Sequence, residues 1–219
     1  MRAMSDPHLI YFADPMCSWC WGFSPVIDAI AEVWGETLPI RLVMGGLRPG
    51  PHEPMSDDAR AELREHWRHV TELSGQGFGP LALSKSGFVY DTDPAARAVV
   101  VMRRERPELA LPLLKRLHEA FYLEGLDVTN PEQLAELAGR MGVAEGAFLK
   151  ELGSERTREE TTKDYALSQG AGVRGFPTLI LGPRADGAFN LITRGYQGVD
   201  VVLPAIAMQL EQLGAKALG

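Results

Sequence analysis

Cys17 and Cys20 are the only cysteines among the 219 residues, and they stand three positions apart. So short a spacing is no disulfide framework; it marks a redox pair or half of a metal site. They lie in Asp14-Pro-Met-Cys-Ser-Trp-Cys-Trp-Gly22, directly after an apolar run and before a helical pattern. At a strand-to-helix turn the first sulfur meets the unpaired N–H groups and positive dipole end of a helix. Such surroundings favour thiolate, and motifs of this kind pull a thiol pKa from ~8.5 to roughly 3.5–7.5. Cys17 is therefore the expected attacking sulfur. Cys20, one turn further in, is expected to resolve the mixed disulfide. Ser18-Trp19 places no cation between the sulfurs. A weaker thiolate bias and a less oxidising disulfide than in a His-bearing motif follow as expectations, since about 30 mV corresponds to about 1.4 kcal/mol.

Other readings of the same residues compete. Zinc wants four ligands, and only two sulfurs are present. His66 and His69 lie three apart on a predicted helix but far away in sequence, and read as a polar helix face. Asp14 could accept a proton or orient the cap; before Pro15 it reads as a turn-former. Trp19, Trp21, Phe23 and Phe176, with Met16, are expected to line a peptide-binding surface. So many large side chains on one short turn are hard to bury together. Trp34 and Trp67 read as core. Gly45-Gly46 either lets a loop approach the site closely or ends a strand. The charged run between Glu151 and Asp164 reads as a solvated helix face.

The elements that must position the dithiol can be read around it. Leu9–Ala13 is continuously apolar and suits a strand buried on both faces. Val26–Trp34 carries Val26, Ile27, Ile30, Ala31 and Trp34 at helical spacing, and Pro25 should kink that helix. Residues 39–45 form a second strand, completing a strand–helix–strand unit. Pro49-Gly50-Pro51 interrupts. From Asp57 to about Leu152 the chain is almost all helix, with a break from Gly75 to Pro80. Asp93 is the expected cap before Pro94, and Asn130-Pro-Glu-Gln133 reads as a capping box. A helix from about Glu155 ends near Gly170, followed by a loop from Val173 to Pro177 and a strand from Thr178 to Leu181. Asp186-Gly187 turns into a hairpin partner at 189–193. An amphipathic helix from Val199 to Leu213 closes the chain. The order βαβ, helices, αββα describes an α/β sheet domain, residues 7–50 plus 165–215, interrupted by an all-helical insertion at 55–160.

Composition narrows the function. The chain is 45% hydrophobic, 8% aromatic and 23% charged, with a formal net charge of −7. These are globular proportions. The acidic balance argues against nucleic acid or anionic membrane as partners. No apolar run approaches the roughly 18 residues of a membrane span. The first fifteen residues break up any long apolar segment, so a cytoplasmic location is expected.

The dithiol segment, Pro25 five residues after Cys20, and Gly175-Phe-Pro-Thr178 together resemble the DsbA-like thioredoxin-fold family. The resemblance is closest to its cytosolic FrnE-like branch of dithiol-disulfide oxidoreductases or isomerases, and it covers nearly the whole chain. It implies a thioredoxin-like α/β fold with a helical insertion. It also implies that Phe176-Pro177 is cis, that Pro177 lies against the dithiol, and that the Phe176 backbone receives an extended substrate. No metal or organic cofactor is implied. The substrate would be a polypeptide or small disulfide, and a thioredoxin system or glutathione would reset the pair. Two alternatives remain at this stage. One is a glutathione-dependent isomerase or transferase of the kappa-class type, whose members generally lack a redox dithiol. The other is a non-enzymatic holdase that binds unfolded chains.

Overall fold

The structure, a computed structural model, describes residues 6–50, 53–79, 87–184 and 186–217. Pro51 and Pro80, which bound two of the expected breaks, lie outside the described residues. Strand β1 (His8–Ala13) runs into helix α1 (Ser18–Trp34), a short 3-10 turn and strand β2 (Ile40–Met44). Helices α2 (Asp57–Ser74), α3 (Asp93–Glu105), α4 (Ala110–Tyr122), α5 (Pro131–Gly139), α6 (Glu145–Leu152) and α7 (Glu155–Gly170) follow. Strands β3 (Thr178–Gly182) and β4 (Asn190–Arg194) and helix α8 (Val199–Ala217) complete the order. This is the expected mixed α/β architecture.

The sheet order is β2-β1-β3-β4, with β1 parallel to β2 and antiparallel to β3, and β3 antiparallel to β4. Alternation along β1 divides the core. Leu9, Tyr11 and Ala13 face the large cluster that includes α1 and the helices, whereas Ile10 and Phe12 pack with Val43 on the other face. The continuous apolar run of β1 is thus explained by burial on both sides.

Helix α1 begins at Ser18, eight residues before the start of its clearest periodicity, so Cys17 caps the helix and Cys20 lies in its first turn. Pro25 lies inside it and cannot donate to the Trp21 carbonyl four residues back. Gln76 reaches that carbonyl instead, from the segment after α2, at 3.5 Å. The cap of α3 is Thr92, one residue earlier than expected, and Asp93 falls in the first turn. Asn130 caps α5 by accepting from the Gln133 amide. Gln133 turns to Glu136 rather than back to the cap, so only half of the expected capping box forms.

The charged run from Glu151 to Asp164 is largely the expected solvated face, with Glu155, Arg156, Arg158, Glu159 and Lys163 exposed, and Asp164 is the exception. Thr157, Thr161, Asp164 and Ser168 are all buried on α7. Their spacing is that of one helix face. Asp164 accepts from the Met44 amide at 2.8 Å and from both ends of the Arg103 guanidinium at 2.7 and 3.1 Å. Arg103 also donates to the Leu42 carbonyl at 2.6 Å. Because β2 is an edge strand, these side chains satisfy backbone groups that have no neighbouring strand. Arg104 is similarly held by Glu151 and Glu160.

Candidate active site

Cys17 is the N-cap residue of α1, in extended conformation, and its amide donates to the Asp14 carbonyl at 3.1 Å. Its sulfur lies 3.6 Å from the Phe176 carbonyl, to which the thiol donates, across 159 positions of sequence. The residue is 6% exposed, whereas Cys20 is fully buried behind it. Both thiols are free. Burial pushes the Cys20 thiol well above its ordinary pKa, opposed by a hydrogen bond from the Asp14 backbone.

Asp14 combines both readings offered for it. Oδ1 accepts from the Met16 amide at 2.9 Å, which shapes the turn before Cys17. Oδ2 accepts from the Leu47 amide at 2.8 Å and ties the loop after β2 to the same turn. The side chain is fully buried, and desolvation raises its pKa to about 6 despite those amides. His118 of α4 donates from Nε2 to the Asp14 carbonyl at 3.2 Å, leaving Nδ1 to face Ser24 Oγ at 3.4 Å. Burial pulls its pKa down to about 4, so the ring is neutral at pH 7.

Cys17 opens on a cleft of about 540 Å³. Met16 and Tyr90 line it, with Leu47 and Arg48 from the loop after β2, Met55, Leu63 and His66 from the helical side, and Phe176 opposite. The Tyr90 hydroxyl donates to the Met16 carbonyl, and the Arg48 guanidinium lies 5.7 Å from the Tyr90 ring centre. The Phe176–Pro177 bond is cis.

Of the aromatics expected on a binding surface, Trp19 and Phe176 are only partly buried and line the cleft. Trp21 and Phe23 are corrections. The Trp21 indole donates to the Gly77 carbonyl at 2.9 Å, and its ring packs between His118 and Tyr122. Phe23 is fully buried against Tyr11. A helix that starts at Ser18 turns positions 20, 21 and 23 inward, which leaves Trp19 alone at the rim. Trp67 is core as expected, whereas Trp34 is half-buried.

His66 and His69 lie on an exposed polar face of α2, as expected, and that face meets the dithiol turn. Both rings meet Trp19 edge-on at 5.7 Å, so α2 forms a wall of the site. Among the described residues no group of three or more His, Cys, Asp or Glu is placed to hold a metal ion. The close-approach reading holds for Gly45-Gly46. A Cβ on Gly45 would overlap the Phe176 ring, and Gly46 has φ +73° beside Tyr165. Gly45→Ala will therefore displace Phe176 from Cys17. We expect a loss of about 1–3 kcal/mol in a urea titration, the range for overpacking, together with slower reaction of Cys17 with disulfides.

Tyr11, Tyr90 and His118 were not singled out by sequence reasoning. Leu114, His118 and Tyr122 share a helix face at spacings of four, and that periodicity was the signal available for His118. Tyr11 is hidden inside an apolar strand.

The DSBA-like thioredoxin domain family matches residues 8–206. Among solved structures, a candidate protein disulfide isomerase from Nitrosomonas europaea superimposes with a TM-score of 0.83 at 32% identity, covering 95% of this chain and 99% of that one. The cytosolic disulfide reductase DsbM from Pseudomonas aeruginosa gives 0.78 at 29% identity, covering 94% and 99%. Its structure with GSH gives 0.77 at 27%, covering 93% and 99%. The ClpXP adapter protein SpxH of Halalkalibacterium halodurans is 24% identical over 181 residues, 77% of this chain and 56% of that protein. The chain thus spans about half the length of the curated relatives it matches. No described helix is long and apolar enough to cross a membrane. The match over residues 8–206, on a fold that sets a Cys-x-x-Cys at a helix start against a cis-proline loop, places this chain in the family of DSBA-like thioredoxin domains.

Proposed function

We propose that the protein is a thiol–disulfide oxidoreductase that reduces or isomerises disulfides of a polypeptide or small molecule in the cytoplasm. The observation that carries this reading is the Cys17 sulfur at the floor of an open cleft, with Cys20 directly behind it and the Phe176 carbonyl in front. Cys17, as thiolate, attacks one sulfur of the substrate disulfide and the other leaves. Cys20 then displaces Cys17 from the mixed disulfide, so the substrate is reduced and the pair oxidised. Pro177 and the Phe176 backbone hold the substrate strand, and Trp19 borders it. Residues 7–50 with 165–215 form the sheet domain. The helical insertion at 55–160 supplies the outer wall, with α7 running across the boundary. Glutathione or a thioredoxin system resets the pair; the likeness to a cytosolic reductase studied with GSH supports the former.

The test is reduction of hydroxyethyl disulfide or a glutathionylated peptide by catalytic amounts of the protein with excess glutathione. Turnover should vanish when the reduced protein is first alkylated with iodoacetamide, with the modification mapped to the more exposed Cys17. Turnover unchanged after that alkylation would overturn the reading.

A further inference from the structure

The gap between α1 and α4 holds a cavity of about 390 Å³ that the exchange chemistry does not use. It shares no lining residue with the cleft at Cys17. Helix α1 contributes Ser24 and Ile27, and α4 faces them with Leu111, Leu114 and His118. Ser24 and His118 are both buried and form the deep end. Asp28, Glu108 and Lys115 stand at the rim, where Lys115 Nζ meets the Asp28 carboxylate at 2.7 Å and both side chains are about half exposed.

The deep end is short of hydrogens. His118 Nε2 faces the Asp14 carbonyl at 3.2 Å, which can only accept, so Nε2 carries the proton of the neutral ring and Nδ1 is a bare acceptor. Among the described residues, the donor within reach of Nδ1 is Ser24 Oγ, at 3.4 Å. That hydroxyl has a single hydrogen, and the Cys20 carbonyl competes for it at 3.3 Å. Both distances are long for a hydroxyl donor. When the hydroxyl serves the carbonyl, a buried lone pair on Nδ1 is left unmet, which is unfavourable. Around this pair the walls are aliphatic, from Ile27, Leu111 and Leu114. A water could donate to Nδ1, but it would leave those walls uncovered. The space, about 390 Å³, far exceeds one water and falls at the small end of ligand sites, which run from roughly 300 to 1,000 Å³.

We propose that this cavity is a binding site for a small neutral phenol or alcohol. Its hydroxyl donates to His118 Nδ1, and its hydrocarbon part covers Ile27, Leu111 and Leu114. Other chemistries fit less well. A carboxylate brings no hydrogen to Nδ1 and meets Asp28 and Glu108 at the rim. An ammonium would exchange its hydration for aliphatic walls. A plain hydrocarbon leaves Nδ1 unmet. The occupant lies behind the dithiol. His118 Nε2 and the Cys17 amide both donate to the Asp14 carbonyl, so one side chain separates the bound hydroxyl from the turn that carries Cys17.

Calorimetric titration of the whole protein with 4-propylphenol, and in parallel with its methyl ether 4-propylanisole, tests the site. We expect one equivalent of the phenol to bind. The ether has no hydrogen to donate and should bind roughly three- to tenfold more weakly, the worth of one hydrogen bond. In protein labelled with ¹⁵N-histidine, the His118 Nδ1 resonance should move upfield on saturation with the phenol, as expected when its lone pair accepts a hydrogen. Binding should survive alkylation of Cys17 with iodoacetamide, because the exchange cleft is separate. It should be lost in Ala31→Phe, which sets a ring at the exposed mouth without touching the deep end. Absence of phenol binding, equal binding of phenol and ether, or a His118 resonance that does not move overturns the proposal. So does binding that Ala31→Phe leaves intact. Binding abolished by alkylation would place the phenol in the Cys17 cleft and also overturns it. None of these readouts involves disulfide turnover, so the exchange reading is tested separately.

Discussion

Cys20→Ser will react once and stop. Mixed with a substrate disulfide, the variant should release one equivalent of thiol and remain covalently joined to the other half through Cys17. In the glutathione-driven assay, multiple turnover should fall to the rate at which glutathione alone cleaves the Cys17 adduct. The reason is geometric: Cys20 is the buried sulfur one helix turn behind Cys17, and a serine hydroxyl there cannot displace a thiolate. Intact-protein mass spectrometry will show the adduct, and dithiothreitol will remove it. Cys17→Ser should release no thiol at all, because the remaining sulfur is fully buried. The same variant separates chemistry from chain binding. Disulfide turnover should be lost, and suppression of aggregation that survives unaltered would support the holdase reading instead. A Cys20→Ser protein that turns over at the unaltered rate, with no adduct accumulating, would remove Cys20 from the mechanism.

The second large effect concerns the edge of the sheet. Arg103 and Asp164 form an ion pair whose side chains are 28% and 10% exposed, and each also holds a backbone group of β2. Removing one member of a fully buried pair costs roughly 3–5 kcal/mol, because the other charge is left without its partner. Exposure on the Arg103 side screens part of this, so Arg103→Ala should lose about 2–3 kcal/mol in a urea titration. That is a large fraction of an ordinary domain stability of about 5–15 kcal/mol. The Leu42 carbonyl would also be left facing solvent on an open strand, and concentration-dependent association should rise. Arg103→Lys should recover only part of the loss, since an ammonium lacks the fork that spans both carboxylate oxygens. A change below about 0.5 kcal/mol would show that β2 does not depend on this pair; it would then behave as an ordinary surface ion pair.

Much of the molecule was legible residue by residue. Leu9–Ala13 reads as a strand buried on both sides because nothing polar interrupts it, and that is how it packs. The Cys-x-x-Cys spacing and its place between strand and helix identify the dithiol, since helix start and redox chemistry both follow from local sequence. Less legible were groups whose partners are distant in the chain. Asp164 sits in a charged run, and only its pairing with Arg103, 61 positions away, shows why it faces inward. Trp21 and Phe23 are large and apolar next to an active turn, so they read as surface. The direction in which each points depends on where α1 begins, eight residues ahead of its clearest periodicity.

Composition and local order by themselves determined the fold class, the reactive pair and the kind of chemistry two adjacent sulfurs can do, because these rest on spacings of a few residues. Tertiary structure alone decided which surfaces meet. It set the Phe176 carbonyl against Cys17, brought His66 and His69 to Trp19, and pressed Gly45 against the Phe176 ring. Contacts of that kind join segments tens to more than a hundred positions apart. Their geometry follows from how helices and strands pack around a shared core, and no short-range pattern encodes it.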